Sequence, residues 1–263
     1  MRWGEKRYHS LDYELKQMFK EKVYKIALNG GMTCPNRDGH VGTGGCIFCS
    51  SQGSGDFAGS ARLSIAEQIK QGKADISSKR PVHSYIAYFQ AFTNTYAPVE
   101  TLRALYMEAI ADPEVKILSI ATRPDCLGAD VLALLDEINH IKPVWVELGL
   151  QTIHPETSAY IRRGYELSVF EQAVKELRAI GITVIVHTIL YLPGETKDDM
   201  LDTIHYLNHM DIQGIKLQLL HVLTHTDLAA DYEKHPFYIP DMQDYIQFLG
   251  TCIAHLNPEI VDR

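Results

Sequence analysis

The feature that most constrains this chain is an alternation of β-type and helical segments along nearly its whole length. Short runs rich in β-branched and aromatic residues read as six strands, at 23–28, 83–89, 116–121, 144–150, 183–190 and 215–222. Between them lie apolar patterns of helical period. Ser64 and Glu67 are spaced as a capping box that opens one helix. Pro98 opens another, with Val99, Leu102, Leu105, Tyr106 and Ala109 on one face. Val131, Leu134, Leu135 and Ile138 mark a third. Ser168 and Glu171 read as a second capping box, ahead of a stripe of Val169, Ala173, Val174 and Leu177, with Gly181 as its C-cap. Further helices are expected from about Thr196 and over 240–256. The run 183–190 is almost unbroken in β-branched residues, the pattern of a strand buried on both faces. Strands separated by helices make a parallel sheet covered by helices. Periodicity alone leaves an open doubly wound sheet and part of a barrel as alternatives. Segments 1–22 and 236–263 read as additions to one core.

The 263 residues suffice for one large α/β domain, and 46% apolar residues suffice to fill its core. A formal charge of −8 excludes a uniformly basic nucleic-acid surface. It leaves room for a local patch of Lys6, Arg7, Lys16, Lys20, Lys22 and Lys25, which read equally well as solvated helix charges. No segment approaches the roughly 18 uninterrupted apolar residues of a membrane span. The charged N-terminal residues have no apolar run behind them, so a cytoplasmic protein without a signal peptide is expected.

The chain has five cysteines, and three of them, Cys34, Cys46 and Cys49, fall in a glycine-rich stretch directly after the first strand. An odd count with such clustering is a poor disulfide framework and a better metal-binding one. Sites in parallel α/β folds gather at the carboxyl ends of strands, where this loop begins. Three thiolates can hold a [4Fe–4S] cube and leave one iron open. The competing reading is a structural zinc site with His40 as fourth ligand. Spacing does not choose between them. Cys126 and Cys252 read as buried, inert residues.

The run from Cys34 to Cys49, Cys-Pro-Asn-Arg-Asp-Gly-His-Val-Gly-Thr-Gly-Gly-Cys-Ile-Phe-Cys, resembles the cluster loop of the radical S-adenosylmethionine (SAM) superfamily. More narrowly, the chain is similar to the YtqA/YhcC-like group, relatives of the radical SAM domain of the Elongator catalytic subunit. The likeness is carried in order by Trp3 to Tyr8, Tyr88 to Tyr96, Ala121 to Asp125, Glu147 to Thr152 and Leu192 to Glu195. Eleven residues separate Cys34 from Cys46, where the superfamily's commonest loop has three; the longer spacing matches the narrower group. Members of that group continue past the position of Arg263, so a further C-terminal segment is an expectation.

The resemblance implies a partial (β/α)6 TIM-like barrel as one radical SAM domain, with core 23–235 and a C-terminal helix in 236–263. It implies a [4Fe–4S] cluster on Cys34, Cys46 and Cys49, with SAM on its open iron. Phe48 matches the aromatic position against the adenine. Gln90, Thr93 and Asn94 follow the second strand, where the family meets the methionine amine. Glu147, a carboxylate in an otherwise apolar strand, needs a partner, and the SAM amine or ribose is the one implied, with Gln151 at the same strand end. Arg162 and Arg163 are the candidates for the SAM carboxylate. Pro193 and Gly194 belong to a turn that meets adenine through its backbone, and His221 lines the barrel mouth. Arg123 and Asp125 either pair or face the substrate.

For function, the resemblance implies reductive cleavage of SAM to a 5′-deoxyadenosyl radical, fed by a low-potential donor such as flavodoxin or ferredoxin. It suggests tRNA as substrate, at the C5 side chain of the wobble uridine, in the conversion of a carboxymethylaminomethyl to an aminomethyl group. The alternatives are a radical SAM enzyme for a small metabolite or protein side chain, and a non-enzymatic zinc- or cluster-binding adaptor.

Overall fold

A computed structural model describes residues 2–53, 55, 57–78 and 82–263. Seven strands form one sheet in sequence order: β1 (Tyr24–Leu28), β2 (Tyr85–Phe89), β3 (Val115–Thr122), β4 (Val144–Gln151), β5 (Thr183–Leu190), β6 (Gly214–Leu219) and β7 (Val261–Asp262). Every neighbouring pair is parallel. The sheet curls into a half-barrel, which decides the alternative that periodicity left open.

The helices are α1 (Leu11–Phe19), α2 (Ile65–Ser77), α3 (Val99–Ala111), α4 (Ala129–Asn139), α5 (Pro155–Tyr160), α6 (Leu167–Ala179), α7 (Lys197–Leu207), α8 (Asp227–Lys234) and α9 (Met242–His255). The apolar stripes of α2, α3, α4, α6, α7 and α9 pack on the outer face of the sheet. Leu102, Tyr106 and Ala109 of α3 and Val131, Leu134, Leu135 and Ile138 of α4 join Leu118, Val146 and Val184 in the main core. Each large apolar side chain buried there contributes about 1.5–3 kcal/mol.

The concave face has its own layering, set by the period of two along a strand. Nearest the strand N-termini, Val23, Ile86, Ile117, Trp145 and Ile185 form an apolar layer that Leu15 of α1 covers from below. Ser10 caps α1, and the C-terminal segment is tied to it, because Asp262 N–H donates to His9 O at 2.8 Å. One step up the same strands come Lys25, Tyr88, Ser119, Glu147 and His187, with Lys216 on β6. The next step reaches the rim of the barrel.

The structure departs from the sequence expectations in three places. The Ser64–Glu67 capping box is present, but the Ser168–Glu171 box is not. Glu166 is the N-cap of α6, so Ser168 lies inside the first turn, and Glu171 instead accepts from Tyr206 Oη at 2.7 Å. Strand β6 ends at Leu219, after which Leu220 N–H still donates to Leu190 O at 3.1 Å before the chain turns away. Segment 236–263 is not all helix: α9 stops at His255, and β7 follows as a seventh strand on β6.

Candidate functional site

The three clustered cysteines lie on the loop between β1 and α2 and line one cavity of about 480 Å³ at the C-terminal rim of the half-barrel. That volume falls within the roughly 300–1,000 Å³ of cofactor sites. The loop is held by its own backbone. Arg37 N–H donates to Cys34 O at 2.8 Å, Gly45 N–H to Asn36 O at 2.7 Å, and Cys49 N–H to Cys46 O at 3.0 Å. Gly45 has φ +77°, and a Cβ there would lie 2.9 Å from Arg37 Nε, so glycine is required on both counts. The Arg37 guanidinium ties the far end, donating to Cys49 O at 3.1 Å and Ser50 O at 2.5 Å. Helices α5 and α8 clamp the middle: Ile47 N–H donates to Ile161 O at 3.2 Å, and Leu228 N–H to Ile47 O at 2.9 Å.

None of the five cysteines is in a disulfide. Burial, reinforced by the neighbouring Cys49, pushes the Cys46 thiol up to about 11. Asn36 Nδ2 lies 3.6 Å from Cys46 Sγ and donates to Arg162 O at 2.6 Å. His40 is exposed, stands against Tyr96 and lines a different cavity, so it does not complete a Cys₃His set. Among the described residues, no three His, Cys, Asp or Glu close on a site for a single ion. A [4Fe–4S] cube places its thiolates on separate irons and needs a wider cradle than one tetrahedral ion.

Phe48 lines the cavity and packs with Ile47, Ile161, Ile189, Leu192 and Leu220 at the ends of β5 and β6. Gln90 and Thr93 line it from the end of β2. Asn94 does not; its amide donates to Ala121 O at 3.0 Å, and its Oδ1 is buried without a partner. Gln151 lines the cavity in a left-handed conformation (φ +69°) at a register shift between β4 and β5, and its Oε1 is also buried without a partner. A non-glycine residue at positive φ that lines a cavity and carries an unmet acceptor is a candidate ligand contact.

The two adjacent arginines part ways. Arg163 lines the cavity, with its guanidinium donating to Leu150 O at 3.0 Å, Thr152 O at 2.6 Å and Tyr165 O at 3.0 Å. Arg162 points outward and pairs with Asp227 at 2.5 Å. Arg123 lines the cavity and grips Asp125 through two hydrogen bonds, of 2.9 and 2.7 Å, so the two pair. Asp125 itself faces the second cavity, beside Cys126, whose thiol burial pushes up to about 12. His221 lines the cavity mouth. Pro193 and Gly194 form the turn after β5 but do not line the cavity; Leu192 beside them packs in the cluster around Phe48.

Glu147 lies at the cavity floor, 1% exposed, with both oxygens engaged. Ser119 Oγ donates to Oε1 at 2.6 Å, Arg263 Nη1 donates to Oε1 at 2.7 Å, His187 Nε2 is 2.6 Å from Oε2, and Lys25 Nζ is 3.7 Å from Oε1. Burial opposes its ionisation, but Arg263, His187 and Lys25 outweigh it and hold the carboxyl well below the usual range. Burial lowers His187 and takes Lys25 down to about 8. This ring of charge was not read from the sequence, although lysines inside the apolar runs of β1 and β6 were its visible signal. Lys25 is thereby withdrawn from the N-terminal basic patch, and Lys16 and Lys22 both pair with Asp12, at 2.7 and 3.1 Å.

The sequence model of the Radical SAM superfamily matches residues 36–207, and that of the Radical_SAM C-terminal domain matches residues 212–261. The chain is 45% identical over 257 residues to the uncharacterized protein YtqA of Bacillus subtilis, covering 98% of this chain and 80% of that protein. It is 37% identical over 249 residues to protein YhcC of Escherichia coli, covering 94% and 79%. Among solved structures, the archaeal Elp3 of Methanocaldococcus infernus superposes with a TM-score of 0.68 at 15% identity, over 92% of this chain and 56% of that one. The chain therefore belongs to the radical SAM superfamily, whose members use a [4Fe–4S] cluster and SAM.

Proposed function

We propose that this chain is a radical SAM enzyme whose cluster is held by Cys34, Cys46 and Cys49 and whose substrate is the C5 side chain of a tRNA wobble uridine. The observation that supports the first part is the convergence of three thiols, Phe48 and the unmet Gln151 acceptor on one cavity at the rim of a half-barrel. When bound, the cluster supplies one electron that splits SAM into methionine and a 5′-deoxyadenosyl radical, which takes a hydrogen atom from substrate. The chain's own residues bind, orient and exclude water. Phe48 with Ile189 and Leu220 offers an apolar slot for the adenine. Gln90, Thr93 and Gln151 offer polar atoms to the methionine and ribose. Arg163, fixed by three carbonyls, sets the positive field beside the thiols. Arg37 holds the loop closed behind them.

The tRNA reading is supported by the resemblance to the YtqA/YhcC-like group. A low-potential donor such as flavodoxin or ferredoxin supplies the electron. Anaerobic incubation of protein, SAM and reductant with tRNA bearing 5-carboxymethylaminomethyluridine tests it. Digested nucleosides are expected to show the aminomethyl product, dependent on SAM and on Cys46. An unchanged nucleoside together with SAM cleavage stimulated by a small metabolite would sink the tRNA reading. Pairing of Lys16 and Lys22 with Asp12 and of Lys25 with Glu147 thins the N-terminal patch and favours that second outcome, because phosphate contacts draw on unpaired Lys and Arg.

A further inference from the structure

The floor of the cavity carries more positive charge than its one carboxylate balances. Lys25, Lys216 and Arg263 converge there on Glu147 alone, and His187 is held towards its neutral form by burial. Arg263 and Lys25 spend their charge on Glu147, at 2.7 and 3.7 Å. The Lys216 ammonium makes no hydrogen bond or close ion pair with any described residue, although Lys216 is half-buried and lines the cavity. Below it, Arg263 is 3% exposed, and its Nε and Nη2 are buried without partners. A poorly compensated cation is costly to keep away from water. Glu147 is the carboxylate whose field reaches Lys216, and both its oxygens are already taken.

We infer that Lys216 forms a subsite for a carboxylate of the substrate at the floor of the cavity. The geometry favours a carboxylate over a backbone phosphate. The floor lies one same-face step, about 6.6 Å, below the strand ends. It is closed underneath by Ile117, Trp145 and Ile185, so a ligand enters only from the rim, where a terminal carboxylate reaches further in than a phosphate flanked by two riboses. The inference rests on the wobble-uridine reading for the identity of that carboxylate, which is then the carboxymethyl group of the base. A second source of the same chemistry is the carboxylate of SAM.

The test is binding of the nucleoside 5-carboxymethylaminomethyluridine and of its carboxamide to cluster- and SAM-loaded protein by calorimetry. The acid is expected to bind roughly 30-fold tighter than the amide, the scale of a buried charge pair. Lys216→Gln is expected to erase the preference and Lys216→Arg to restore part of it. Equal affinities in the unaltered protein, or a preference that survives Lys216→Gln, would overturn the inference. Loss of SAM affinity in Lys216→Gln with the acid-to-amide ratio intact would place the SAM carboxylate there instead, and would also overturn it. If neither nucleoside binds, the wobble reading fails. The subsite is then decided by reductive methylation of the unaltered protein in N-methylglycine or in chloride at equal ionic strength. Protection of Lys216 by N-methylglycine alone upholds the subsite, and equal labelling overturns it.

Discussion

Glu147→Gln tests how the half-barrel is held together as well as what its floor does. The carboxylate is 1% exposed and compensates Arg263 at 2.7 Å and Lys25 at 3.7 Å, with Ser119 and His187 completing its shell. The amide keeps the shape and removes the charge. Arg263 is then buried with no anion, and the β6–β7 edge that carries it loses its link to β4. Removing one partner of a buried pair costs about 3–5 kcal/mol. For a chain of this size that lowers the melting temperature by roughly 6–20 °C, at about 2–4 °C per kcal/mol. The pH dependence has a definite sign. The folded carboxyl is held below its unfolded value, so its contribution is fully present above the unfolded value, near 4.3, and is lost as pH falls through the folded one. The unaltered protein should therefore lose stability on acidification more steeply than Glu147→Gln. Calorimetric melts of both proteins from pH 7 down to about pH 2.5 measure this. A loss below about 1 kcal/mol at pH 7, or parallel pH profiles, would refute the claim that Glu147 neutralises the buried cations.

Asn36→Leu removes the amide 3.6 Å from Cys46 Sγ. Hydrogen bonds to cluster sulfurs raise the potential, so a fall on the order of tens of millivolts is expected in a redox titration followed by electron paramagnetic resonance. Gln151→Leu removes the unmet acceptor in the cavity; SAM affinity is expected to fall about tenfold, the net worth of one hydrogen bond, as read by equilibrium dialysis. Arg37→Met frees the end of the cysteine loop from Cys49 O and Ser50 O. Faster bleaching of the cluster by a chelator is expected, with iron content after reconstitution little changed.

The strands and most helices were legible because each carries a single, strong period. The 183–190 run reads as buried on both faces and is β5, with the main core outside and Ile185 in the lumen. Elements whose reason for existing is tertiary were not legible. Strand β7 is two residues long and exists because β6 offers it an edge. Helix α8 is short and exposed, yet its Leu228 clamps the cysteine loop. The capping box at Ser168 failed because the turn at Arg163–Tyr165 starts α6 one residue before that serine.

The candidate site divides in the same way. The cysteine cluster was legible in the residues themselves, whereas Phe48 and Gln151 were expected only from the family resemblance. Arg162 and Arg163 look alike in sequence, and only the left-handed backbone at Arg162 (φ +55°) turns one outward and leaves the other at the cavity. The charge at the floor is assembled from β1, β4, β5, β6 and Arg263, residues as far apart as 25 and 263. No local pattern announces it.

Cys34, Cys46 and Cys49 are proposed to hold a cluster that supports SAM cleavage. The most direct measurement is reconstitution without oxygen, then assay of iron, sulfide and 5′-deoxyadenosine released with SAM and dithionite, beside Cys46→Ala. About four irons per chain and 5′-deoxyadenosine that depends on Cys46 are expected. One zinc per chain, no iron uptake and no SAM cleavage would contradict that proposal.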